Sequence, residues 1–210
     1  MRRCLPFLLP VVLALALPSL AAASLALNEI MADPDSDWDG DGEYDYKDDE
    51  WVELYNCGPE AIDLEPYRLS DDEGLWTYGF ESGATLAPGE ALVIYGSQSV
   101  LWQQDHAQPQ YGFKMSNDGD TVILWEFTAD DTLLVDTHTF NTYEAEDDRS
   151  TGRNPDGIGA WEIFDALNPY SGSTPPYGND LGPTPGYPNF GDPPVAAGQT
   201  TWGRMKGLFR

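Results

Sequence analysis

Positive charge is nearly missing from the body of this 210-residue chain. Arg2 and Arg3 stand at its start, and Arg204, Lys206 and Arg210 in its last seven residues. That leaves Lys47, Arg68, Lys114, Arg149 and Arg153 against all 36 Asp and Glu, so the body carries −31. Such a surface repels phosphate, which excludes sequence-independent nucleic-acid binding and docking on anionic lipid. Cysteine is equally scarce. Cys4 lies in the N-terminal apolar segment and Cys57 stands alone beyond it, so no intramolecular disulfide can form once that segment is removed. Histidine occurs twice, as His106 and His138. Beyond the N-terminal segment, no long window has apolar residues at helical spacing.

What is present starts with a leader. Arg2 and Arg3, the apolar stretch 5–20 and Ala21-Ala22-Ala23 have the order of a secretory signal peptide, residues 1–23. Pro6, Pro10 and Pro18 interrupt the same stretch and argue against a membrane span. The expected location is secreted or cell-surface, with the periplasm as the alternative compartment. Short runs of period-2 alternation then dominate, at 25–31, 50–56, 61–69, 75–80, 90–95, 121–127, 133–140 and 158–164. Turn residues such as Asn56-Cys57-Gly58-Pro59, Pro88-Gly89 and Asn117-Asp118-Gly119 separate them. This pattern predicts an all-β, two-sheet β-sandwich over residues 24–190. Residues 168–198 are rich in Pro, Gly, Ser and Asn and read as an extended crust, with 191–199 as a linker. Residues 200–210 form a tail with no acid, three cations, and Trp202, Met205, Leu208 and Phe209. Its opposite charge suggests a handle for export or anchoring machinery, or an end folded back on the acidic body.

The most chemical segment is 33–53, where eleven carboxylates accompany one lysine. Within it, residues 37–48 fit a Ca²⁺ loop. Asp37, Asp39 and Asp41 take positions 1, 3 and 5, with Gly42 at 6. The carbonyl of Glu43 takes position 7, Asp45 position 9 and Asp48 position 12. Alternate side chains at 1, 3 and 5 converge, the glycine allows a sharp turn, and the last acid closes the sphere. Asp in place of Glu at position 12 shortens the reach of that closing ligand. Asp33, Asp35, Asp49 or Glu50 is the candidate for a further ligand. With no His or Cys in the segment, softer metals are disfavoured. The competing reading is a solvated acidic loop.

The segments NEIMADP, DDEWVELYN, AIDLEPYRLSD, LAPGEALVIYG, SNDGDTVILWE, DRSTGRNPDGIGAWEIF and TPGYPN occur in the order seen in bacterial lamin tail domains (LTD), across residues 25–189. The chain thus resembles that family. The resemblance implies an immunoglobulin-like sandwich, an acidic Gly-rich insertion between the first two strands, and a secreted accessory or surface module. It departs from the family at Cys57, where other members carry a small or polar residue before the glycine of the first turn. A non-enzymatic module with a structural Ca²⁺ site, attaching to an extracellular protein or glycan, is the expected function. A carbohydrate-binding accessory module using aromatics such as Trp38, Trp51, Trp76, Tyr78 and Trp125 is the alternative, and a cryptic hydrolase built on His138 the third.

Overall fold

The computed structural model describes residues 25–189; the expected leader 1–23, linker 191–199 and tail 200–210 lie outside the described residues. Two antiparallel sheets carry the architecture. The first has five strands in the order β11-β10-β1-β2-β7: β1 (Leu25–Met31), β2 (Trp51–Asn56), β7 (Ala91–Tyr95), β10 (Ser150–Asn154) and β11 (Ala160–Phe164). The second has four in the order β5-β4-β8-β9: β4 (Tyr67–Ser70), β5 (Trp76–Gly79), β8 (Gly119–Phe127) and β9 (Thr132–Asn141). A two-stranded ribbon of β3 (Ile62–Asp63) and β6 (Thr85–Leu86) completes the sheets.

Strand alternation explains how the sheets meet. Leu25, Leu27 and Ile30 of β1, Val52 and Leu54 of β2 and Ile94 of β7 face Tyr67, Leu69, Val122, Leu124 and Phe140 of the second sheet in one buried cluster. The other face of the first sheet is covered too. Met31 and Trp51 pack there under Trp38 from the acidic loop, with Val93 and Tyr95 beside them. Trp38 and Trp51 lie with ring centroids 6.2 Å apart.

Three elements depart from the sequence expectation. The run 61–69 is split into β3 and β4, because Pro66 offers no amide hydrogen and Tyr67 N turns back to donate to Leu64 O. A helix, α1 (Gly96–Asp105), follows β7. Its buried residues are Gly96, Ser99 and Gln103. Ser99 Oγ donates to Thr77 O and Gln103 Nε2 to Gly112 O, so this helix packs through polar groups that hydropathy cannot detect. Strand β10 is the third. Its sequence, STGRN, has no apolar side chain, yet it lies between β1 and β11 with Ser150, Thr151 and Gly152 buried. Of the crust, residues 168–189 fold back on the first sheet, with Gly178 bridging to Ile163.

Candidate functional site: the acidic loop and the carboxylates behind it

The loop between β1 and β2 is a chain of turns held by its own aspartates. Asp37 accepts from Gly40 N (2.7 Å) and Gly42 N (3.1 Å), Asp39 from Asp41 N, Asp41 from Glu43 N, and Asp45 from Lys47 N. Gly40 and Gly42 have positive φ, as the sharp turn requires. Asp49 sits at the centre. It is buried and accepts from Trp38 N (2.6 Å), Asp39 N (3.0 Å) and Asp45 N (2.9 Å). From the far end of the chain, Asp148 accepts from Trp38 Nε1, Asp35 N and Ser36 Oγ and pins the loop to the body.

Asp37, Asp39 and Asp49 each place a carboxylate oxygen within 4.8 Å of the other two. The residues expected as ligands thus divide. Asp37 and Asp39 converge with Asp49, one of the candidates for a further ligand, whereas Asp41, Glu43, Asp45 and Asp48 lie outside this group. The reason is a tight turn in which Asp45 O accepts from both Asp48 N and Asp49 N. That turn carries residue 49 under the start of the loop and leaves Asp48 beside Lys47 Nζ at 3.8 Å. Burial pushes the Asp49 carboxyl up, while the backbone donors from Asp39, Asp45 and Trp38 pull it down. Burial likewise raises Asp48, against the pull of Lys47. The donor set is entirely hard oxygen, which fits Ca²⁺ and not a softer metal. Three carboxylates could supply part of such an ion's shell, with carbonyls and water for the rest.

A second acidic group lies inside the sheet. Glu29 of β1 and Glu53 of β2 face each other in register and are fully buried. Glu29 accepts from Ser150 Oγ, Thr184 N and Thr184 Oγ1. Glu53 accepts from Asn28 Nδ2 (2.7 Å) and Gly186 N (2.6 Å). Asp156 accepts from Asn28 Nδ2 and Asn189 N, and Thr184 Oγ1 also meets Asn189 Oδ1. These carboxylates therefore clamp residues 184–189 to the first two strands. Burial is the dominant influence and pushes Glu29 up to about 7, opposed by Ser150 and Thr184. Burial, then the Glu29 charge, pushes Glu53 up to about 8. Sequence reasoning missed this clamp, although Asn28-Glu29 interrupts an otherwise apolar strand and so signals a buried polar role.

His138, the residue on which a hydrolase would be built, and the polar groups around the first sheet are engaged in structural contacts. His138 Nε2 lies 3.1 Å from Glu144 Oε1, and its ring stacks on Trp161 with centroids 3.5 Å apart. Thr151, 3.4 Å from His138, gives its hydroxyl to Glu144 and is 1% exposed. Ser150 is engaged by Glu29. His106 is exposed, and its Nδ1 donates to Trp102 O at 2.9 Å. Arg153 forks onto both oxygens of Asp136 and covers Trp161. Arg149 donates to Asn168 O, Pro169 O and Tyr143 O.

Two packed antiparallel sheets with an acidic insertion after the first strand are the frame implied by the sequence resemblance. The lamin tail domain family model matches residues 18–142, more than half of the chain. The chain belongs to the lamin tail domain family. Its fold is accordingly an immunoglobulin-like β-sandwich, and most of its strands fall inside the matched region. No curated protein matches the chain. The first sheet also includes β10 and β11, both beyond the matched residues. No helix among the described residues is long and apolar enough to cross a membrane.

Proposed function

We propose that this lamin tail domain is a non-enzymatic attachment module, working in the extracellular medium or on a cell surface, whose first inter-strand loop is held rigid by Ca²⁺. The observation that carries the reading is the convergence of Asp37, Asp39 and Asp49 in a loop already folded around them. Bringing those charges together is unfavourable without a counter-ion, and one divalent cation relieves it. The metal's role is structural: it binds the folded loop and stabilises by RT ln(1 + [Ca²⁺]/Kd). The leader-like residues 1–23 support an extracytoplasmic location, where Ca²⁺ is abundant enough for a weak site. The engagement of His138, Ser150 and Thr151 in buried structural contacts supports a non-enzymatic role. An extracellular protein or glycan is the partner, and the strongly acidic body rules against nucleic acid.

The test is a thermal melt in millimolar Ca²⁺, in Mg²⁺ and in excess chelator. With a Kd of about 10⁻⁴ M and about 1 mM Ca²⁺ the gain is roughly 1.4 kcal/mol, or about 4 °C for a domain of this size. Asp49→Asn should abolish the Ca²⁺-dependent gain, and Asp48→Asn should keep it. An equal gain with Mg²⁺, no gain in the parent protein, or a full gain in Asp49→Asn would each defeat the reading.

A further inference from the structure

The four-stranded sheet turns one face to the core and the other outward. Tyr67, Leu69, Val122 and Leu124 are buried in the core, so alternation sends Ser70, Ile123 and Trp125 to the outer face. That face carries an open furrow of about 390 Å³, whose lining includes Trp76, Ile123, Trp125, Ser70, Asp72 and Thr132. Its origin is a difference in side-chain size across three strands. Ser70 of β4 pairs with Trp76 of β5 on one side and Ile123 of β8 on the other, so the smallest residue lies between larger ones. Both indoles are held in place. Trp125 Nε1 donates to Ser70 Oγ at 2.9 Å, and Ser70 Oγ donates to Asp71 O. Trp76 meets Phe127 edge-on with centroids 5.2 Å apart. Side chains fixed in this way lose little freedom when a ligand arrives.

We propose that this furrow binds a neutral polysaccharide. Indole rings offer flat apolar surfaces to the C–H faces of pyranose rings, while Asp72 and Thr132, both exposed, offer hydrogen-bond partners to sugar hydroxyls. The charge around the furrow selects against other occupants. Asp71, Asp72, Glu73, Asp130 and Asp131 are close in the chain to its lining, and the nearby cation Lys114 is paired with Glu73 at 2.6 Å. Uronate polymers, nucleic acid, anionic lipid and a second copy of this acidic chain are all repelled there. A volume within the range of small-molecule sites accommodates a short stretch of sugar rings lying along β4. The inference concerns the sheet opposite the one that carries the acidic loop, and it does not depend on Ca²⁺ binding.

Native affinity electrophoresis of the full chain tests it, in gels cast with mixed-linkage β-glucan, xyloglucan or galactomannan, and in gels cast with alginate. The expected result is retardation by at least one neutral polymer and none by alginate. Trp76→Ala should weaken that retardation at least about tenfold with an unchanged melting temperature, and Asp72→Ala should weaken it less. The proposal is overturned if no neutral polymer retards the protein, if alginate retards it as strongly, or if folded Trp76→Ala is retarded like the parent. A dimer in sedimentation that Trp76→Ala dissociates would assign the face to a second copy. A peptide of residues 200–210 that binds more tightly than the polysaccharides, and is lost in Trp76→Ala, would assign it to the chain's own end. Either result also overturns the proposal.

Discussion

Raising the pH should loosen this domain, because its two central strands share a pair of buried carboxyls. Burial pushes Glu29 up to about 7 and Glu53 up to about 8, with the Glu29 charge adding to Glu53 and Asp156 adding to both. In the unfolded chain both return to the ordinary value, 4.5. The folded state therefore holds protons that the unfolded state has released. The stabilisation is complete below about pH 4.5 and is lost as pH rises through about 7 and then 8. Each pKa unit corresponds to about 1.4 kcal/mol, so Glu29 alone accounts for about 3 kcal/mol. The two groups repel one another and share part of the cost, which puts the pair on the order of 5 kcal/mol. At about 3 °C per kcal/mol, the melting temperature should fall by roughly 10 to 15 °C between about pH 5 and pH 9. The assay is a series of circular-dichroism melts in chelator, so that Ca²⁺ binding cannot contribute, and at high salt, so that surface repulsion is screened. Glu53→Gln should flatten the profile without abolishing it. The residual slope comes from Glu29, which burial still raises, and from Glu50, which burial also raises well above its ordinary range. A parent melting temperature that rises from pH 5 to 8, or an unchanged slope in Glu53→Gln, would refute the reasoning.

Other perturbations probe contacts elsewhere. Gly96→Ala would place a Cβ 1.9 Å from Lys47 O, so it should lower stability by about 1 to 3 kcal/mol and weaken Ca²⁺ binding, read by melts with and without the metal. Arg149→Ala strands the carbonyls of Asn168, Pro169 and Tyr143 and should cost about 2 to 4 kcal/mol in urea unfolding, with the crust becoming the first point of protease cleavage. Burial pushes the Cys57 thiol up, so a thiol reagent near pH 8 should modify it at least about tenfold more slowly in the native protein than in concentrated guanidinium.

The core strands were legible because each carries apolar residues at alternate positions over one buried face. Val52 and Leu54 face the inter-sheet core, and Trp51 on the opposite face packs with Trp38 from the acidic loop. The elements that escaped notice are those whose burial is polar. Strand β10 is satisfied by the buried Glu29 and Glu144 carboxylates, and α1 by backbone carbonyls, so neither carries a hydropathy signal. The acidic loop was legible in composition and in the positions of Asp37 and Asp39. Asp49 is one of four candidates for a further ligand, and what singles it out is the turn at Asp45, a backbone event that spacing along the sequence does not encode.

The place of β10 in the first sheet bears on how the chain is made. β1 leaves the synthesis machinery early, but the strand that pairs with one of its edges is encoded more than a hundred residues later. Until residues 150–154 are available, the apolar first strand presents a row of unmatched amides and carbonyls to any passing chain. A fragment ending at residue 142 would keep that open flank permanently. It should therefore self-associate through strand addition, even though it includes nearly every apolar residue of the main core. The polar segment STGRN is thus the closing member of the sheet, and protection against misassembly rests on residues that contribute no greasy surface of their own.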